Sequence, residues 1–147
     1  MQVLIDTSVW SAALRRPAAK ALVAKQTASQ LAAVAALKDL IADGRAILIG
    51  AVRQELLSGV KTAAQFENLR EMLSAFPDFA VDTQDHERAA QLFNQCQAKG
   101  VQGAHTDFLI CAVALRYQLA ILSLDQDFVH FQKCLPISLL ALTKAAL

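Results

Sequence analysis

Apolar residues along this chain follow two rhythms. Short unbroken runs at Val3–Ile5, Ala46–Ile49, 79–81 and 119–122 have the length and bounding residues of buried strands. Between them, apolar residues recur three and four positions apart, which predicts amphipathic helices. One begins at Thr7 or Ser8 as a cap and carries Val9, Trp10, Ala13 and Leu14. A second starts near Thr27, places Leu31, Val34, Ala35, Leu37, Lys38 and Ile41 at that spacing, and stops at Gly44. A short helix over 51–58 ends at Gly59, and Thr62 with Gln65 forms a capping box for a helix through Phe66, Leu69, Met72 and Leu73. Thr83 caps the next, with Ala89, Ala90, Leu92, Phe93 and Cys96 facing inward, and an apolar helix runs from Asp107 to about Tyr117. The apolar stretch 135–142 is a candidate edge strand. Between Leu14 and Thr27 lies a basic, Ala-rich connection opened by Arg15-Arg16-Pro17.

Strands alternating with helices predict an α/β fold with a central, mostly parallel sheet. Right-handed crossovers then bring the carboxyl ends of the strands to one edge, where such folds bind their ligands. Four carboxylates belong to that edge. Asp6 ends the first strand, Glu55 lies in the helix after the second, Asp107 opens the apolar helix, and Asp125 follows the fourth strand. Each has a purely structural reading as well. Asp6 can cap the turn that follows it, and Asp107 at a helix N-terminus gains roughly 0.3–1 kcal/mol from the dipole. Together, however, four anions repel, and either protons or a divalent cation must relieve them. Oxygen-only donors favour Mg²⁺ or Mn²⁺ over Zn²⁺. Such a centre suits hydrolysis of a phosphodiester by metal-assisted water.

Composition narrows the setting. The chain has 147 residues, a length expected of one domain, and 55% of them are apolar, a surplus that suggests a partner-covered surface. A net charge of +1 supplies no global field toward nucleic acid, so any basic surface is local. Cys96, Cys111 and Cys134 are too widely spaced for a zinc pattern, and their usage fits a reducing cytoplasm. Neither a signal-peptide pattern nor a membrane-length apolar run is present.

Four segments carry a resemblance: Met1-Gln-Val-Leu-Ile-Asp-Thr-Ser-Val-Trp10, Val52-Arg-Gln-Glu-Leu-Leu-Ser-Gly59, Thr106-Asp-Phe-Leu-Ile-Cys-Ala112 and Leu122-Ser-Leu-Asp-Gln-Asp-Phe128. In this order they resemble the motifs of PIN-domain ribonucleases, and more narrowly the VapC toxins of type II toxin–antitoxin systems. The likeness covers almost the whole chain. It implies a PIN-like fold and a metal-dependent endoribonuclease that cuts structured cellular RNA, inhibits translation and is silenced by a VapB-like antitoxin. It implies a homodimer, and an antitoxin tail that can place a basic residue in the acidic pocket. Asp6, Glu55, Asp107 and Asp125 match the acids that hold Mg²⁺ or Mn²⁺ and position water. Thr7 and Ser123 match small hydroxyl positions beside the first and last acids, and Asp127 takes at best a supporting place behind the ligands. Cys111 departs from the small apolar residue more usual there, a conservative change in packing.

Arg15, Arg16 and Arg53 are candidate RNA-phosphate contacts, against a plain reading as solvated helix residues. His105 reads as a capping or surface residue, and His86 and His130 give no specific signal. Trp10 and Phe66 read as core or interface, and the helix near 27–43 as a groove for a partner helix or as core. Two alternatives stand beside the toxin: a PIN nuclease of RNA maturation, and an idle PIN module that binds RNA or protein. A phosphoaspartyl enzyme built on Asp6 is discarded, because Ser8 stands where its second Asp is needed.

Overall fold

Strand β1 (Val3–Ile5) occupies the middle of a five-stranded sheet in the computed structural model, which describes residues 1–14 and 27–142. The strands are β1, β2 (Ala46–Ile49), β3 (Asp78–Phe79), β4 (Ala120–Leu122) and β5 (Ser138–Leu139), ordered β3-β2-β1-β4-β5. All neighbours run parallel, and Val3 is in register with Ala46 on one side and Ala120 on the other. Every strand therefore ends at the same edge. The central strands are apolar throughout because helices cover both faces of a parallel sheet. Val3, Leu4, Ile5, Leu48, Ile49, Ile121 and Leu122 are all buried.

The helices are α1 (Thr7–Leu14), α2 (Ala28–Ala42), α3 (Gly50–Leu57), α4 (Ala63–Leu73), α5 (Thr83–Ala98), α6 (His105–Tyr117) and α7 (Asp127–Phe131). Their termini refine the sequence reading. Asp6, rather than Thr7 or Ser8, offers its carboxylate to the first turn of α1. Thr27 and Gln30 form a reciprocal box at α2. Helix α5 is capped one residue earlier than expected, by Asp82, whose partner in the box is Asp85; Thr83 is already helical. An acid accepts an amide hydrogen bond more strongly than a hydroxyl, so Asp82 takes the cap.

Two helices bury other faces than the spacing predicts. In α2 the inward residues are Ala33, Leu37 and Leu40, whereas Leu31 and Ile41 face outward at 55% and 36% exposure. A helix rich in alanine carries apolar residues all round, and tertiary packing selects the face. In α4 only Leu73 is buried, leaving Phe66 and Met72 at the surface. Trp10 is core as expected, edge-on to Phe76 with centroids 5.0 Å apart. Strands β3 and β5 are shorter than the apolar runs that announced them.

Two devices fix α6. Phe93, Phe108, Phe131 and Phe128 make a chain of ring contacts 4.8–5.5 Å apart joining α5, α6 and α7. Gly103 lies flat against it; a Cβ there would meet Phe131 Cζ at 2.4 Å. At the far end, Arg116 donates to Asp82 and to the buried Asp85, both at 3.0 Å. Among the described residues no helix is long and apolar enough to cross a membrane.

Candidate metal centre

Five carboxylates collect at the edge where β1, β2 and β4 end. Asp6 follows β1 directly, its amide donating to the Leu122 carbonyl at 2.9 Å, so that β1 and β4 stay joined up to the site. Its side chain is buried and fixed by three hydrogen bonds on one oxygen. Oδ2 accepts from Ser8 Oγ at 2.7 Å, Ser123 Oγ at 2.8 Å and the Ser8 amide at 3.4 Å. The two hydroxyls lie 3.4 Å apart, but each spends its single proton on Asp6. Their lone pairs then accept the amides that follow β4, Leu124 N to Ser8 Oγ and Asp125 N to Ser123 Oγ, both at 2.9 Å. The two serines thus bind the loops after β1 and β4 to one carboxylate.

Glu55 reaches the edge from α3 and accepts from Thr7 Oγ1 at 3.0 Å through Oε1. Thr7 therefore holds Glu55 rather than its neighbour Asp6. In the first turn of α6, Asp107 Oδ2 accepts from the Ala104 amide at 3.1 Å. Burial pushes the Asp107 carboxyl up to about 6, and the charges of Asp6, Asp125 and Glu55 add to that rise against the opposing Ala104 bond. Asp125 Oδ1 accepts from the Asp127 amide at 2.9 Å and so turns the chain into α7. That turn brings Asp127 inward. One oxygen each from Asp107, Asp125 and Asp127 lie within 4.8 Å of one another.

The four acids expected from the sequence are thus near enough to act on one another, as the upward push on Asp107 records. Asp127 differs from its expected place, standing among the clustered oxygens and not behind them. Ser8 was missed; the available signal was a hydroxyl two residues after a strand-ending acid, a position whose amide and hydroxyl can both turn back. Arg53, a candidate RNA contact, is engaged within the protein. Its guanidinium donates to Asp78 Oδ1 at 2.8 Å, to the Leu73 carbonyl at 3.0 Å and to the Phe76 carbonyl, stapling α3 to the end of α4 and to β3. Arg15 and Arg16 lie outside the described residues. Cys111, one turn after Asp107, is fully buried, and burial, with a smaller push from Asp107, raises its thiol far above the usual range.

Among the described residues no Lys or Arg pairs with any of the five acids. The donor set is all oxygen. Oxygens bound to one hard cation at about 2.1–2.4 Å lie at most about 4.8 Å apart, so the Asp107–Asp125–Asp127 spacing fits a divalent ion.

None of the curated proteins compared with the chain matches it in sequence. Solved structures match it in fold. The FitAcB structure from Neisseria gonorrhoeae superposes with a TM-score of 0.69 at 21% identity, over 95% of this chain and 97% of that one. VapBC2 from Rickettsia felis, bound to a promoter DNA fragment, gives 0.67 at 16% over 95% and 98%. VapBC-1 from nontypeable Haemophilus influenzae gives 0.61 at 12% over 98% and 100%. At these identities the likeness is one of fold. The sequence pattern of the PIN domain, in turn, matches residues 3–133, which takes in every acid of the centre, and the chain belongs to the PIN-domain family.

Proposed function

We propose that this protein is a Mg²⁺- or Mn²⁺-dependent endoribonuclease of the VapC type, which cleaves cellular RNA, inhibits translation and is neutralised by a VapB-like antitoxin. The observation that carries the reading is a set of converging acids with no cationic partner among the described residues, in a PIN-domain chain. Asp107, Asp125 and Asp127 would hold the ion, with Asp6 and Glu55 adding negative charge beside it. When bound, the ion supplies Lewis-acid stabilisation of a phosphoryl oxygen and acidifies water. The chain's own groups do the rest. Ser8 and Ser123 lock Asp6, so its charge is in place before substrate arrives and costs no reorganisation. Glu55 is exposed with one oxygen restrained by Thr7, an arrangement suited to accepting a proton from attacking water. The raised Asp107 carboxyl makes proton and cation competitors for the same oxygens.

The partner reading rests on a second surface. Ser11, Leu14, Leu56, Val60, Leu69 and Met72 line an apolar groove of about 740 Å³ between α1, α3 and α4. Helices α1 and α3 each carry site residues and groove residues, Thr7 and Ser8 with Ser11 and Leu14, and Glu55 with Leu56. An antitoxin segment in the groove would lead toward the acids. Among the similar structures is a toxin–antitoxin complex from Klebsiella pneumoniae, which supports a partner of that kind. The outward Phe66 and Leu31 leave apolar surface for a homodimer contact. The three cysteines, all free thiols, suit the cytoplasm in which RNA would be met.

The test is cleavage of total cellular RNA by antitoxin-free protein with Mn²⁺, Mg²⁺ or EDTA, beside Asp107→Asn. Discrete fragments that require the metal and vanish in the variant support the proposal. Intact RNA in both metals, with no metal-induced shift in melting temperature, overturns it.

A further inference from the structure

Helices α5 and α6 enclose a second, smaller cavity on the side of α6 turned away from the acids. It measures about 250 Å³, room for one planar ring system. Its residues on α5, His86 and Ala89, belong to the same face as Phe93 at helical spacing, and on α6 it is lined by His105, Phe108 and Leu109. The floor is apolar and partly aromatic, and the rim carries two imidazoles and the Thr106 hydroxyl. His105 is exposed yet held in place, stacked on Phe93 with centroids 5.1 Å apart and planes 23° off parallel. A ring fixed in advance loses little freedom when a ligand arrives.

We infer that this cavity is a base-binding subsite for a nucleotide flanking the scissile bond. The inference rests on the ribonuclease reading and names part of its specificity. Apolar floors take the face of an unstacked base, and histidine and hydroxyl groups read its edge, the means by which proteins recognise single-stranded RNA. Among the described residues no Lys or Arg lines the cavity, so its lining favours a base over a phosphate. Its position fits a flanking site. His105 and Asp107 are two residues apart in the first turn of α6 and so face nearly opposite ways, about 10 Å apart across the helix. A strand with its phosphate at the acids can cross the N-terminus of α6 and place a neighbouring base between α5 and α6.

The test uses the full chain, metal-free, titrated with AMP, CMP, GMP and UMP while imidazole proton resonances are followed by NMR. At least one nucleotide should shift His86 and His105 saturably while leaving His130 still, and Asp107→Asn should respond as wild type does. On a cleavable RNA, His86→Ala and His105→Ala should each raise KM about tenfold with kcat within twofold, with unchanged melting temperatures. Both histidines are exposed, so their loss leaves the core intact. Metal-dependent cleavage with unmoved imidazoles and unchanged KM overturns the subsite and spares the nuclease. Saturable imidazole shifts without any cleavage support base binding and instead overturn the nuclease. If no nucleotide binds and the two variants lose only affinity for a protein partner, the cavity is a protein contact and the inference falls.

Discussion

Helix α6 joins two acid clusters, one near each end, and the protein treats them in opposite ways. Near its C-terminus, Arg116 bonds Asp82 and the buried Asp85, and that guanidinium holds the Asp82 carboxyl below the usual carboxylate range. In its first turn, Asp107 meets Asp6, Glu55, Asp125 and Asp127 with no described cation beside them, and its carboxyl rises to about 6. The same helix shows that this chain can neutralise a buried acid with a well-placed arginine. Leaving the other cluster unneutralised lowers stability, which is the usual mark of a site kept for a ligand. The paired cluster belongs to the fold, and the one without a described cation is the candidate metal centre.

Four substitutions or conditions sharpen this contrast, the largest first. Asp107→Asn should cut metal-dependent RNA cleavage by about a thousandfold, the scale of several kcal/mol of lost transition-state stabilisation, measured as single-turnover rates. The same change should raise the melting temperature of metal-free protein at pH 7.5 by about 3 °C, because it removes a repelled charge. A fall would mean that the cluster is structural. Ser123→Ala should lower cleavage or metal affinity about 10–100-fold, since Asp6 loses one of its hydroxyl donors and the Asp125 amide loses its acceptor. An unchanged rate would show that Ser8 alone suffices.

At the other end, Arg116→Ala should lower the melting temperature by about 5 °C, because Asp85 is left buried without its cation, and cleavage by folded protein should persist. A comparable loss of cleavage would erase the division between the clusters. The smallest effect is on pH. The Asp107 carboxyl binds its proton more tightly in the folded chain, at about 6, than at its ordinary 3.8, so its ionisation penalises folding above that value. Metal-free protein should therefore gain about 2–3 °C as the pH falls from 7.5 to 5, and Asp107→Asn should flatten that slope. A wild-type melting temperature that falls over this range would contradict the assignment.

Much of this was legible in the sequence because it depends on local order. Short apolar runs and a parallel sheet require Asp6 and Asp125 to leave one edge, and the positions of Glu55 and Asp107 after β2 and at the start of α6 send them there too. Asp127 and Ser8 were not legible in the same way. Asp127 is turned inward by its amide bond to Asp125, and the role of Ser8 depends on Leu124 and Ser123, more than a hundred residues away. The buried face of α2 was hidden for a different reason, since alanine on every side leaves periodicity nothing to report. Arg53 read as an RNA contact or an exposed residue, because its three acceptors, on Leu73, Phe76 and Asp78, lie 20–25 residues further along the chain.

The central place of β1 also sets an order of events during synthesis. Asp6 leaves the ribosome well before its fixing partner Ser123, which lies 117 residues further on, and β1 pairs with β4 at a similar separation. During synthesis a contact of such long range has to wait for its second partner, and closing it is intrinsically slow. At about 5–20 residues per second, translation needs on the order of ten seconds to carry the chain from one to the other. Throughout that interval the growing polypeptide carries its first acid without the hydroxyl, amide and carboxylate neighbours of β4 and α7. A centre built this way is not assembled until β4 and α7 have been made.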